Sequence, residues 1–250
     1  MTSESTFDKP LTGHLALVTG STRGIGRACA LALAKAGAHV IAVGRTQGAL
    51  EELDDEILAA TGQRATLVPL DLTKGDDVDG LGRAIYDRWG KLDILVHAAG
   101  LLGALTPVSH LETQVWDRTV AINLTASYRL IRSLEPLFKR APAARAIFLT
   151  TGLAVKPRAF WGVYAATKAG MESLVGCWAD ELEHTQIRSV LLNPGPMRTK
   201  MRAQAYPGED PQTLPDPAEI GPLIVQLARP DLAPPSRVAF AEWKTSPAQA

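Results

Sequence analysis

Short apolar runs alternate with longer segments of helical period along this chain. Residues 14–18, 39–43, 65–68, 92–96, 146–149 and 188–192 read as strands, several of them apolar at nearly every position rather than at every second one. Strands apolar on both faces belong in a parallel sheet covered by helices on each side. Between them, residues 25–36, 49–60, 77–89, 112–139 and 164–184 carry the spacing of helices. The alternation predicts an α/β fold, a doubly wound parallel sheet of six to seven strands flanked by helices on both faces. Gly37, Gly62 and Gly90 stand where helix C-termini favour glycine, and Thr73 and Asp76 are the expected N-terminal caps of the helix over 77–89. The run 237–244 is the expected source of the seventh strand.

Composition narrows the choice of partner. A chain of 250 residues can bury one sizeable core, and no low-complexity linker divides it. We expect a polar, disordered tail over residues 1–10 and a single domain over 11–250. Lysine plus arginine and aspartate plus glutamate both number 26, with no basic run, so the electrostatic footprint of a nucleic-acid or anionic-membrane binder is missing. A small molecule is the expected partner. No stretch approaches an uninterrupted membrane span, and residues 1–10 hold no apolar targeting core, so a cytoplasmic protein is expected. Cys29 and Cys177 lack metal-ligand spacing and read as small core residues in a reducing compartment, and the five histidines are scattered, so no metal is expected.

Candidate chemistry begins at the run Thr19, Gly20, Ser21, Thr22, Arg23, Gly24, Ile25 and Gly26, which follows an apolar strand and opens an alanine-rich helix. Glycine permits a tight turn and close backbone approach, and the unpaired N–H groups at the start of the helix receive a pyrophosphate. A purely structural strand-to-helix turn is the competing reading. Far downstream stand Tyr164 and Lys168. Four residues apart on a helix, a phenol and an ammonium share a face and reach the same bound molecule.

With these motifs the chain resembles the short single-domain branch of the short-chain dehydrogenase/reductase family, over about residues 12 to 230. The resemblance implies a Rossmann-like sheet. It also matches Asp71 after the third strand to the family's adenine-side acid, and Asn123, Thr151, Tyr164 and Lys168 to its catalytic set. Pro194 and Gly195 match the turn after the sixth strand, and Thr199 the residue that holds the nicotinamide amide. Leu72, Ala99, Gly100, Tyr164 and Lys168 complete the implied cofactor contacts. Asp71 could equally cap the next helix, and Asn123 could be an ordinary polar interruption; the family reading gives it a water that links Lys168 to solvent. Thr151 stands where the family most often has serine; it keeps the hydroxyl but adds a methyl that stiffens χ1. His97 replaces an asparagine usual in relatives and is expected to serve local packing. The runs 100–103 and 202–207 resemble a bacterial subgroup of oxidoreductases with unassigned substrates.

The end of the second strand decides the cofactor. An acid there would bind both ribose hydroxyls and repel a 2′-phosphate, whereas this chain has Arg45, with Arg23 as a second cation. NADP(H) is expected, with NAD(H) as second choice. The expected reaction interconverts a ketone or aldehyde and an alcohol, with Tyr164 as acid/base. A free phenol ionises near about pH 10, so bringing Tyr164 to about 7 needs roughly 4 kcal/mol, drawn from Lys168 and the oxidised nicotinamide. A dinucleotide-binding scaffold with impaired catalysis is the alternative. Leu101, Leu102 and the stretches 153–161 and 196–217, the latter a candidate lid, would shape the substrate site. A homodimer is expected, with a tetramer as the alternative; Leu130, Leu134, Leu137, Met171, Leu174 and Trp178 are candidates for either partner contact or core.

Overall fold

The computed structural model describes residues 9–246, so the expected tail lies outside the described residues for all but its last two positions. Seven strands form one sheet: β1 (Leu15–Thr19), β2 (His39–Gly44), β3 (Thr66–Pro69), β4 (Ile94–His97), β5 (Ala144–Leu149), β6 (Ile187–Asn193) and β7 (Arg237–Ala239). Every pairing is parallel, in the order β3-β2-β1-β4-β5-β6-β7. The chain winds outward from β1 to β3, crosses back to β4 and winds the other way. That reversal opens a crevice at the carboxyl ends of β1 and β4.

The helices are α1 (Gly24–Lys35), α2 (Gln47–Thr61), α3 (Gly75–Trp89), α4 (Thr113–Val120), α5 (Ala126–Phe138), α6 (Gly162–Glu181), α7 (Lys200–Ala205), α8 (Gly221–Ala228) and α9 (Phe240–Lys244). Strand side chains alternate between two cores. Ala16, Val18, Val40 and Ala42 join Leu33 of α1, Leu50 of α2 and Ile224 of α8 on one face. Leu15, Leu17, Ile41 and Val43 join Leu81 of α3, Leu130 of α5 and Trp178 of α6 on the other. Both faces are covered, which is why the strands read as continuous apolar runs.

Several local expectations change. Gly37, Gly62 and Gly90 do take positive φ, at 99°, 75° and 73°. Thr73 and Asp76 do not cap α3: Lys74 holds that position, Asp76 lies in the first turn, and the Thr73 N–H and hydroxyl both donate to Asp71 Oδ1. A short acceptor two residues upstream outcompetes the cap. The helix expected over 112–139 is two, joined by a π-helical turn at Ala121–Thr125. The run 237–244 is strand for three residues and then helix. Cys29 is buried, but Cys177 is exposed, not core.

Leu130, Leu134, Leu137, Met171 and Trp178 are buried in this chain's own core, and Leu174 packs against it. The outer surfaces of α4 and α5 instead expose Trp116 and Tyr128. Among the described residues no helix is long and apolar enough to cross a membrane.

Candidate active site

The glycine-rich turn joins β1 to α1 at the crevice. Gly20 has φ 66°, and a Cβ there would lie 2.8 Å from the Ala99 backbone, so β1 and the segment after β4 meet across it. A Cβ on Gly26 would run into the Gly20 carbonyl, and one on Gly24, at φ 53°, would lie 3.3 Å from Thr199 Cγ2. Arg23 at the N-cap lends no side-chain acceptor, and the first turn of α1 carries no acid. The leading N–H groups and the dipole of α1 are left to an anion, a cradle that fits a dinucleotide pyrophosphate. Ile25 packs its side chain against the core.

Ser21, an expected cofactor contact, has its side chain turned to the strand beside it. It is fully buried, and its N–H and hydroxyl both donate to the Val43 carbonyl, so its side chain braces the turn against β2. Thr22 lies over Gly44, where a Cβ would come 2.5 Å from Thr22 Cγ2. This close approach brings the turn beside Arg45, which is exposed. Neither Arg45 nor Arg23 makes a side-chain hydrogen bond or salt bridge to the described residues, so both guanidinium groups face solvent at the rim. On the same edge, burial opposes ionisation of Asp71. The Thr73 N–H and hydroxyl, with the charges of Arg45 and Arg118, prevail and hold its carboxyl below the usual carboxylate range. Leu72 beside it is buried.

Tyr164 and Lys168 lie one turn apart near the start of α6. Burial pushes the Tyr164 phenol up to about 12. The lowering toward about 7 expected from Lys168 and the oxidised nicotinamide thus has to start from this raised value. Lys168 is buried, and its Nζ donates to the Leu149 carbonyl at 2.7 Å. Burial lowers this ammonium to about 8, against the opposing charge of Glu172.

Asn123 occupies the π-helical turn, a distortion that often marks functional sites. Its Oδ1 accepts from the Leu101 N–H, while Nδ2 donates to the Leu101 carbonyl and to Thr167 Oγ1. Oδ1 keeps one free lone pair, and it and Lys168 Nζ both face Gly100. Thr151 follows β5 in extended conformation and caps a 3-10 turn at Gly152–Ala154, which packs against α6. Its Oγ1 accepts from the Leu153 N–H at 3.3 Å and keeps its own proton to donate. Pro194 is buried, and Gly195 at φ 68° donates its N–H to Asn193 Oδ1. Thr199 Oγ1 accepts from the Arg202 N–H as N-cap of α7.

His97 ends β4 with its Nδ1 2.7 Å from Thr19 Oγ1, which also accepts from the Ala99 N–H. Burial, then the Lys168 charge, pushes His97 down to about 3, so it is neutral and braces β1 to β4. Over the mouth, Tyr206 of the 196–217 stretch packs on Trp161 at 5.8 Å, and Trp161 meets Tyr164 edge-on at 6.0 Å. Arg202 lies 3.8 Å over the Tyr206 ring and binds Glu209 through two nitrogens. Arg198 is held by Asp216 and Gln212. These two arginines are thus committed within their own loop, and the wall they leave is the aromatic pair Trp161 and Tyr206; Leu102 and Met197 are buried.

Sequence reasoning placed Trp161 and Tyr206 in two substrate-shaping stretches but not against each other, and it missed Glu172 with Arg237. Glu172 follows Lys168 by four residues, a spacing that could have found it. Its partners come from the residue after β5 and from β7, which no local pattern reveals.

Comparison with known proteins agrees with this fold. The short chain dehydrogenase family model matches residues 14–210. The uncharacterized oxidoreductase YciK of Escherichia coli K12 is 37% identical over 223 residues, covering 88% of each chain. A short chain dehydrogenase of Shigella flexneri complexed with NADP superposes with a TM-score of 0.88 at 35% identity, covering 94% of this chain and 99% of that one. One from Escherichia coli CFT073 complexed with NADPH gives 0.86 at 37% identity, covering 89% and 93%.

Proposed function

Because the chain belongs to the short-chain dehydrogenase/reductase family and is therefore an oxidoreductase of the CH–OH/C=O class, we propose that it is NADP(H)-dependent and interconverts a ketone or aldehyde and an alcohol. Residues 11–250 act as one dinucleotide-binding and catalytic domain in this reading. The observation that carries the cofactor choice is the exposed Arg45 at the end of β2, beside Thr22 and Arg23, with no acid in the place where a 2′-phosphate would be repelled. Two relatives of similar fold complexed with NADP and NADPH support it.

The residues divide the work. Gly20, Gly24, Ile25 and Gly26 offer backbone to the pyrophosphate; Thr22, Arg23 and Arg45 take the 2′-phosphate; Asp71 and Leu72 border the adenine. Ala99, Gly100, Pro194, Gly195 and Thr199 line the nicotinamide side. When bound, the dinucleotide supplies a hydride to the carbonyl carbon or takes one from the alcohol carbon. The neutral Tyr164 phenol donates its proton to the carbonyl oxygen in reduction, with the Lys168 charge and the bound dinucleotide bringing it down from about 12 toward the working pH. Thr151 Oγ1 donates a second hydrogen bond to that oxygen. Lys168 stabilises the phenolate left behind, and a water between Asn123 Oδ1 and Lys168 Nζ returns the proton. The aromatic wall of Trp161 and Tyr206 selects an apolar organic substrate. We keep a cytoplasmic homodimer as the working assembly, with Trp116 and Tyr128 replacing the buried leucines as contact candidates.

Arg45→Asp tests the cofactor assignment. Losing a charged hydrogen-bond donor and gaining an acid should weaken NADPH binding by about 10- to 100-fold and tighten NADH. Calorimetric titration of both dinucleotides into the variant checks it; an unchanged preference would remove Arg45 from the phosphate site.

A further inference from the structure

Glu172 lies one helical turn beyond Lys168, so the two share a face of α6. Its side chain is only 11% exposed, yet both oxygens are bound. Oε1 accepts from the Thr150 hydroxyl and Oε2 from Arg237 Nη2. Thr150 stands between Leu149, whose carbonyl accepts from Lys168 Nζ, and Thr151. One carboxylate therefore fixes the strand end that anchors the lysine and carries the substrate-facing hydroxyl. Arg237 opens β7 and pairs in register with Leu191 of β6, so the other end of the contact belongs to the C-terminal edge of the sheet.

We propose that Glu172 is a positioning residue for Thr150 and Lys168 and that Arg237 is its counter-charge, coupling the C-terminal strand to the catalytic helix. The proposal rests on the role given to Lys168 above. The titratable groups facing Lys168 are Tyr164 and Glu172 from its own helix and His97 from β4, while Arg237 from β7 acts through Glu172. Of these, His97 and Tyr164 are neutral at working pH, pushed to about 3 and about 12. The Glu172 carboxylate favours the charged form of the ammonium against burial, and Arg237, bound to that carboxylate, is placed to offset it.

The two partners should act in opposite directions. Glu172→Gln keeps an oxygen for Thr150 but removes the anion, so Lys168 should lose its proton about one pH unit lower. Arg237→Ala frees the anion and removes a cation, so Lys168 should lose its proton at higher pH. The measurement is an NMR titration of 13C-labelled lysine in the protein without dinucleotide, assigned with Lys168→Arg, beside the pH profile of turnover. Opposite shifts in the Lys168 titration support the coupling. Shifts of the same sign, or no shift, overturn it and leave a brace only. If the titration shifts as expected while the alkaline limb of turnover stays fixed, the coupling stands and the catalytic reading of Lys168 falls. Arg237 lies on an exposed edge, so its variant remains informative if Glu172→Gln fails to fold.

Discussion

Tyr164→Phe is expected to lower turnover by about 10³-fold, the middle of the range for a positioned general acid or base. Burial holds the phenol neutral, so it has a proton to give, and Lys168 lies one turn away as its charged partner. Removing the oxygen leaves the ring and its edge-on contact with Trp161, so the pocket keeps its shape. Dinucleotide affinity should fall by less than about tenfold, the worth of one neutral hydrogen bond. Steady-state kinetics with direct binding separates these effects. A variant that kept full turnover would take the tyrosine out of the mechanism, and a wild type that bound dinucleotide but turned over no carbonyl would favour the scaffold reading.

Gly26→Ala should be nearly as damaging, through binding. Its Cβ would meet the Gly20 carbonyl, with Ala98 Cβ only 3.3 Å away. The Gly20 carbonyl cannot retreat cheaply, since Gly20 is itself pressed against the Ala99 backbone. Overpacking of this kind costs about 1–3 kcal/mol of stability. The turn must also shift, and a displacement of about 1 Å at a positioned group can cost about 100-fold, the loss expected in dinucleotide affinity. Thermal melting and calorimetric titration read the two effects. Gly48→Ala is the control: it lies on an exposed position of α2 where a Cβ meets nothing within 4 Å, so it should bind normally and melt no lower.

The parts of the fold legible in the sequence are those governed by burial on both faces. β1, β2 and β4 read as strands because every apolar side chain in them joins one core or the other, and α1 read as a helix because its alanine-rich face packs on that sheet. The glycine turn was legible for the same physical reason it exists: backbone at Gly20 and Gly26 approaches backbone too closely for a side chain. The π-helical turn at Asn123 was not, since the apolar period runs through it without a proline or glycine to mark it. Nor was the true partner of Thr73, because Asp71 competes with the helix end only once the turn has closed. The state of Tyr164 depends on how deeply it is buried, and the neighbours of Glu172 lie 22 and 65 residues away in sequence, so both are products of tertiary structure.

The central claim is that this catalytic group works on an NADP(H) site. Calorimetric titration of the wild-type protein with NADPH and with NADH, at equal ionic strength, tests it most directly. The site described here predicts NADPH binding at least about tenfold tighter, from the charged contacts of Arg45 and Arg23 with a 2′-phosphate. Equal or tighter NADH binding, or no binding of either, would contradict it.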